Sequence, residues 1–579
     1  MADPPSVRGA DLLVQLLIDA GVESIFGVPG DTGVVFYDAL HGRTGEIRHV
    51  LARDERHAAK MADAYARVTN RVGVVEVSSG GGTTFVVGGL GEAYASGIPV
   101  LLLTSDIHAS SRGSGALTEI DQVALFSAVT KWCTVVESAS DLRGAVASAI
   151  EAATSGRPAP VAVIIPENVF DEVLERPAEA EPPMARVDVM PRARPRADEL
   201  AVGRAARLFS EATAPAILAG SGVHTSEAWQ VLAELAEKTG APVATTIHGK
   251  GALVSEHPWH LGVVGNNGGR DYANRELAEA DVVLLVGTRA NATDTNSWSG
   301  PARTGTPVIQ IDIDPARAGR NFPEAIGLVG DARTVLGQLL DAVAETPAHA
   351  RESRRRRIAA ERAEWALRGP GGLAEVAEGE LVPQDVIRCV NELVGSEVVV
   401  VADPGTPTPN VASYWDTQVP GRRIVIPRGH GPMGYAIPAA VGVAVARPGE
   451  PVVSFTADGS FAMACGELET VARFRLPILY VQFTNNSMGW IKMLQHLYEG
   501  GRYFGVDPGP IDAVMVAAAC GIEGSRPRSL DELSTAVASF AADPRPMYLD
   551  IQVPHMIRYT PPVPAWIDAL SGTPGRPIY

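Results

Sequence analysis

The chain has 579 residues, of which 46% are hydrophobic and 20% charged, and its formal net charge is −18. One hydrophobic core cannot serve that length, so about three or four domains are expected. The acidic balance argues against nucleic acid and anionic membrane as partners, because both are bound through basic surface.

Cys133, Cys389, Cys465 and Cys520 show neither zinc-ligand nor redox-motif spacing. They read as buried small hydrophobes in a reducing compartment. The N-terminus Met1-Ala2-Asp3-Pro4-Pro5-Ser6 lacks the basic start and apolar run of a secretion signal. No apolar stretch reaches bilayer length, so a cytoplasmic protein is expected.

In chain order, short β-branched runs alternate with alanine-rich stretches of helical period. Residues 1–175 carry strands at Val74–Val77, Val100–Thr104 and Val161–Ile165, with a helix over Glu55–Arg67. Residues 172–198, rich in Pro, Glu and Arg, read as a linker. Residues 190–345 carry strands at Ala216–Ala219, Val282–Val286 and Val308–Ile311. Residues 346–372 hold Arg354-Arg355-Arg356-Arg357 and end in Gly369-Pro370-Gly371-Gly372. In that charge-mixed setting the arginine run reads as a solvated linker helix rather than a phosphate site. Residues 373–553 carry strands at Val398–Val401, Val452–Phe455, Ile478–Phe483 and Tyr548–Ile551. Short apolar runs between helices indicate parallel sheets covered on both faces. The expected fold class is therefore α/β, with three doubly wound parallel-sheet domains. Residues 554–579 form a proline-rich tail, either a lid over the active site or a segment packed on its own domain.

The segment Thr456-Ala457-Asp458-Gly459-Ser460-Phe461 follows one strand, and Thr484-Asn485-Asn486-Ser487 follows the next. Asp458 and Asn485 thus stand at strand carboxyl ends, where α/β sheets bind ligands. Their oxygens are hard donors that suit Mg²⁺, which takes its remaining ligands from phosphate and water. Gly459 and Ser460 can offer backbone N–H groups to phosphate at a helix start. Asp458 and Asn485 are separated by 27 residues.

This order and spacing resemble the thiamine-diphosphate motif shared by pyruvate decarboxylases, acetolactate synthases, benzaldehyde lyase and oxalyl-CoA decarboxylase, with Ala457 where the family usually has Gly. The resemblance implies that Asp458, Asn485 and the Ser487 carbonyl hold Mg²⁺, with Asn486 the competing side-chain ligand. It also assigns Glu55 as the glutamate that hydrogen-bonds the cofactor pyrimidine and promotes loss of the C2 proton. Glu55 lies 12 residues before Arg67 in a small-residue helix ending Tyr65-Ala66-Arg67, matching the family pattern. Asp54 and Arg56 stand where relatives have His and Gln.

Further cofactor contacts follow from the resemblance. They are Pro29 in Phe26-Gly27-Val28-Pro29-Gly30, Thr84 in Ser79-Gly80-Gly81-Gly82-Thr83-Thr84-Phe85, and Gly405 and Thr406 before Pro407. His430, Gly431 and Met433 belong to the segment that wedges the cofactor into its bent shape, Met433 being the wedge. In the family, the glutamate and the metal motif meet across a subunit interface, which implies a homodimer or homotetramer. Relatives use the middle domain for FAD, for ADP or for nothing. Here Gly287-Thr288-Arg289 could hold phosphate and Asp312 or Asp314 a ribose.

For substrate, the resemblance points to Thr118 in Leu117-Thr118-Glu119-Ile120-Asp121-Gln122, where it replaces the glutamine of the synthases' Phe-Gln-Glu segment, to Gln122, and to Trp490, Met493 and Leu494 in the helix after the metal motif. Leu494 replaces the tryptophan typical of those synthases. Lys492, His496 and Glu499 are nearby titratable groups that read as surface. The first reading is a 2-oxo acid decarboxylase or carboligase, resembling acetolactate synthase without matching its standard pattern. The alternative is a CoA-thioester lyase of the 2-hydroxyacyl-CoA lyase or oxalyl-CoA decarboxylase type, acting on an acyl-CoA. A non-catalytic cofactor-binding regulator is disfavoured, because Glu55 and Asp458 are both present.

Overall fold

A computed structural model describes residues 6–175, 184–368 and 376–572. The glycine-rich end of the second linker and the last seven residues, including Tyr579, lie outside the described residues. The chain forms two compact units. One comprises Met1–Arg192, Pro427–Gly449 and Ala464–Leu476; the other comprises Ala193–Ile426, Glu450–Met463 and Pro477–Tyr579.

The first unit is built on a six-stranded parallel sheet in the spatial order Arg48–Leu51, Ser24–Val28, Gly73–Val77, Val100–Asp106, Val161–Pro166, Trp132–Val135. Gly73–Val77, Val100–Asp106 and Val161–Pro166 are buried at every residue, as a sheet covered on both faces requires. The helix Glu55–Thr69 starts at the N-cap Asp54, whose side chain accepts from the Arg56 N–H, and ends at Asn70 in the left-handed conformation. Every residue from His57 to Val68 is buried, so this helix has no solvated face. Small side chains make that possible. A Cβ on Gly442 would lie 2.2 Å from the Met61 carbonyl oxygen, and one on Gly89 would lie 2.4 Å from the Ala59 Cβ. The first contact joins Glu55–Thr69 to the apolar helix Ala436–Ala446. It explains why Pro427–Gly449, expected within residues 373–553, packs in the first unit.

The second unit holds two six-stranded sheets, also parallel. The middle one runs His260–Val263, Val243–Thr245, Pro215–Ala219, Val282–Val286, Val308–Asp312, Ile326–Val329. That is the classical dinucleotide-fold order, 3-2-1-4-5-6. The C-terminal one runs Ile424–Val425, Val399–Ala402, Val452–Ala457, Ile478–Thr484, Met547–Gln552, Glu523–Ser525. In order of sequence this is 2-1-3-4-6-5, the same as in the first unit. The expected α/β class with three parallel-sheet domains is thus observed.

The arginine run lies on the helix Ala348–Ala366. Arg354 donates to the Gly240 and Thr213 carbonyls, and Arg357 pairs with Glu276. These bonds strap a largely exposed linker helix to the middle sheet. None of the four cysteines forms a disulfide, and all are half-buried, less enclosed than expected. Among the described residues no helix is long and apolar enough to cross a membrane.

Candidate active site

In the C-terminal sheet, Asp458 directly follows the strand Val452–Ala457 and Asn485 directly follows its neighbour Ile478–Thr484. The Asp458 carboxylate is surrounded by backbone donors. Gly459 N–H donates to Oδ1 at 2.8 Å, and Asn485 and Asn486 N–H groups donate to Oδ2 at 2.9 and 2.6 Å. Burial nevertheless pushes its carboxyl up from the ordinary value, against the pull of these N–H groups. Asn485 is buried, and its Oδ1 has no hydrogen-bond partner. Its Nδ2 faces Gly489, where a Cβ would lie 3.2 Å away. An orphaned amide oxygen beside a half-buried carboxylate is a hard-oxygen donor set, which fits a Mg²⁺ ion and its phosphate.

Ser460 is wholly buried and its Oγ is also without a partner. Ser487 is buried, its Oγ held by the Val506 carbonyl at 3.1 Å, while its own carbonyl accepts from Gly489 N–H at 2.8 Å. Asn486 is exposed, at φ +52°. Gly405 has φ +97° with open space where a side chain would project, and Thr406 beside it is buried. Behind them Thr456 Oγ1 donates to the buried Asp403 at 2.7 Å, tying the first and third strands of this sheet together.

In the first unit, Glu55 opens its helix with a half-buried carboxylate that has no hydrogen-bond partner among the described residues. A Cβ on Gly82 would lie 3.4 Å from Glu55 Oε1, so this glycine faces the carboxylate at van der Waals distance. A half-buried acceptor without a donor fits a ring nitrogen that shares a proton. Of the other residues expected at the cofactor, Pro29 is exposed and Thr84 Oγ1 donates to the Gly81 carbonyl at 2.9 Å. Thr118 is exposed at φ +66°, a strained conformation for a β-branched residue. It is pinned there by a 2.7 Å hydrogen bond to Ser79 Oγ, and a Cβ on Gly80 would lie 2.7 Å from its own. Ser79 continues through Thr32 (3.2 Å) to Ser105 (2.8 Å), a line of hydroxyls across the sheet end.

His430, Gly431 and Met433 belong to this unit, and sequence reasoning missed the residues that hold them. Glu92, fully buried, accepts from Gly429 N–H at 3.1 Å, His430 N–H at 2.7 Å and Gly431 N–H at 3.1 Å. Arg67 balances its charge at 3.0 Å and is itself bonded to Asp63 at 2.8 Å. Lys60, also buried, donates to the Gly434 and Met433 carbonyls at 2.9 and 3.3 Å. The available signal was Glu92, the one charged residue in Gly81–Ser96; Lys60, among the several charges of Glu55–Thr69, gave none.

The residues expected to line a substrate pocket divide. Gln122 is buried, its Oε1 accepting from Thr104 at 2.8 Å and its Nε2 donating to the Ser105 carbonyl at 3.0 Å and to Asp106 at 3.1 Å. It acts as a bracket for the strand Val100–Asp106 and, with Asp106, Glu119 and Asp121, lines a cavity. Met493 is likewise buried, in a cluster with Met556, Tyr559, Val563 and Trp566 from the tail. Trp490 and Leu494 are half-buried at the margin of that cluster, with the Trp490 and Trp566 rings 4.4 Å apart. Lys492 pairs with Asp507 at 2.7 Å, and His496 Nδ1 meets the Tyr503 hydroxyl at 2.8 Å.

In the middle domain the glycine turn after Pro215–Ala219 is closed. The N–H groups of Gly220 and Gly222 bond to the Val286 and Gly287 carbonyls at 2.8 and 3.0 Å. Both amide atoms of Asn266 and Oδ1 of Asn267 are buried without partners.

Three parallel-sheet domains, a free glutamate at a glycine-rich turn and an Asp–Asn pair at adjacent strand ends define a cofactor-dependent enzyme of the thiamine type. The family comparisons agree. Residues 7–125 match the thiamine pyrophosphate enzyme N-terminal TPP binding domain, residues 202–339 its central domain and residues 403–551 its C-terminal TPP binding domain. The chain is 34% identical over 560 residues to the probable acetolactate synthase large subunit of Methanocaldococcus jannaschii, covering 94% of this chain and 92% of that protein. It is 33% identical to the acetolactate synthase of Arthrospira platensis, over 94% of both chains. It is 32% identical to the acetolactate synthase isozyme 3 large subunit of Escherichia coli, over 94% of this chain and 95% of that one. The chain belongs to the thiamine-pyrophosphate-dependent, acetolactate-synthase-like enzymes.

Proposed function

We propose that the chain is a 2-oxo acid carboligase that works with thiamine diphosphate and Mg²⁺. The observation that carries the reading is the unpartnered Glu55 carboxylate facing Gly82, in a chain similar to acetolactate synthases over nearly its whole length. No observation favours the CoA-thioester lyase alternative. When bound, thiamine diphosphate supplies a nucleophilic carbon and an electron sink for the bond that breaks beside the substrate carbonyl. Glu55 would hold a proton against the pyrimidine ring nitrogen. Asp458, Asn485 and the Ser487 carbonyl would hold the metal, and Gly405, Thr406, Gly459 and Ser460 would face the diphosphate. Lys60 and Glu92 would keep the Gly429–Gly434 backbone in place under Met433 and His430. Thr118 stands at the rim, where a substrate carboxylate or acceptor would meet the Ser79 hydroxyl line.

Glu55→Gln tests this. The variant should bind cofactor normally while exchange of the cofactor C2 proton slows by about 10²–10⁴-fold; exchange at the wild-type rate would remove Glu55 from the role. Single turnover with a panel of 2-oxo acids and acyl-CoAs, with the trapped adduct read by mass spectrometry, identifies the donor. The active form is proposed to be a homodimer or homotetramer, and full activity from a sedimenting monomer would contradict it. FAD or ADP in the middle domain is supported by the unpaired amides of Asn266 and Asn267 and opposed by the closed Gly220–Gly222 turn. Absorbance of nucleotide released on heat denaturation separates these. For the tail, the burial of Trp566 supports permanent packing over a lid. Truncation after Val553 should then lower the melting temperature, whereas a stable, cofactor-loaded enzyme that loses turnover would establish the lid.

A further inference from the structure

Glu76 is a carboxyl group that the proposed chemistry leaves unused. It interrupts the apolar run of Gly73–Val77, a strand buried at every residue, and is 2% exposed. An ionised carboxylate in such a place normally has a cation, yet none pairs with Glu76 among the described residues. Its neighbour is a phenol: the Tyr37 hydroxyl, from the helix Val34–His41, donates to Glu76 Oε2. That hydroxyl lies 3.2 Å from His49 Nε2 on the strand Arg48–Leu51, with the two rings edge to face. Room for the carboxyl is made by glycine on two sides. A Cβ on Gly27, its cross-strand partner, would lie 3.1 Å from Oε2, and a Cβ on Gly33 would lie 3.1 Å from Oε1.

Glu55 lies across the end of the same strand. A Cβ on Gly82 would be 3.4 Å from both Glu55 Oε1 and the Cβ of Val77, the residue after Glu76. The groups that act on Glu76 are therefore Tyr37, Glu55 and, through Tyr37, His49; Arg473 acts in turn on His49. Burial first, and the Glu55 charge second, push Glu76 up to about 8, with the Tyr37 hydrogen bond pulling the other way. Burial and Arg473 push His49 down to about 4, so it adds no positive charge beside Tyr37.

We propose that Glu76 is a positioning residue for Glu55: a buried carboxyl kept neutral by its phenol-and-glycine cage, so that the pair carries a single negative charge and that charge rests on Glu55. Ionisation of Glu76 releases its proton to solvent and places a second negative charge across the strand from Glu55, which would hold the proton shared with the pyrimidine nitrogen on the carboxyl and slow its passage to the ring. The proposal rests on Glu55 as the activating carboxylate. It gives Glu76 control of the alkaline limb of the reaction.

The test uses Glu76→Gln and Tyr37→Phe in the full-length enzyme. Infrared difference spectra of the cofactor-free protein should contain, at neutral pH, a protonated-carboxyl carbonyl band that shifts in D₂O, fades on alkaline titration and is missing from Glu76→Gln. In Tyr37→Phe the band should persist to higher pH, because the hydrogen bond that stabilises the carboxylate is gone. With cofactor, wild-type activity should fall about tenfold per pH unit above the inflection, while Glu76→Gln stays level there. An unchanged alkaline limb in Glu76→Gln, or no band lost between wild type and that variant, overturns the proposal. If Glu76→Gln does not fold, the Tyr37→Phe titration decides: an unshifted band overturns it. Normal C2 exchange in Glu55→Gln would overturn the Glu55 reading alone, and the infrared band would still report on Glu76.

Discussion

The first and third sheets share one strand order, and each has an acid at its third strand: Glu76 within Gly73–Val77 and Asp458 just past Val452–Ala457. The two are treated in opposite ways. Asp458 lies past the strand end, where the chain turns and three backbone N–H groups converge on it. Glu76 lies inside the strand, where the backbone N–H groups are committed to neighbouring strands, and it has only the Tyr37 hydroxyl. A shift of two residues along equivalent strands thus separates a carboxylate fit for a cation from a carboxyl kept as an acid. Strand position, more than residue type, sets how many donors meet a buried carboxyl, because only the strand end has free N–H groups to offer.

The largest expected effect is on the Asp458 side. Asp458→Ala should weaken Mg²⁺-dependent binding of thiamine diphosphate by more than about a hundredfold; unchanged affinity in titration calorimetry would break the contrast. Next comes Glu92, a buried acid of the first unit that, like Asp458, collects N–H groups but is also paired with Arg67. Glu92→Ala leaves Arg67 short of a partner and should destabilise the protein by about 3–5 kcal/mol, read by chemical denaturation.

Glu76 should show itself through pH. Its carboxyl is raised in the folded state, to about 8, whereas the unfolded chain loses that proton near an ordinary pKa of about 4.3. Between those values the folded state binds the extra proton, so wild-type stability should decline as pH rises, by up to about 1.4 kcal/mol per pH unit. In Glu76→Gln this component is absent. Melting curves at several pH values should therefore turn in favour of the variant as pH increases, and parallel curves would place Glu76 with Asp458 as an ordinary carboxylate. The smallest effect is expected at Ser460, whose buried hydroxyl has no partner. Ser460→Ala should leave the cofactor-free protein as stable or up to about 1 kcal/mol more stable, while cofactor affinity drops. A clear loss of stability without cofactor would mean that the hydroxyl has a structural role.

The amino-acid sequence by itself determined the central strands, because a strand buried on both faces must be largely apolar. Val282–Val286 and Ile478–Thr484 are legible for that reason. It also determined the Asp458–Asn485 arrangement, since a ligand at a strand end needs only one strand, one turn and the next strand in order. Edge strands such as Trp132–Val135, half-exposed throughout, and Glu523–Ser525 carry no such pattern. Tertiary structure alone decided which charges are internal. Lys60, Asp63 and Arg67 look like the polar face of an amphipathic helix until Ala436–Ala446 and Gly81–Ser96 pack against it, and Glu92 looks exposed until Gly429–Gly431 and Arg67 meet it. It also decided that Met493 and Gln122 are buried, and that among the described residues Glu76 sits against a phenol with no cation. The reason is physical: a side chain's environment comes from segments tens or hundreds of residues away, and burial, which sets both the cost and the protonation of a charge, belongs to the packed chain and to no local stretch of it.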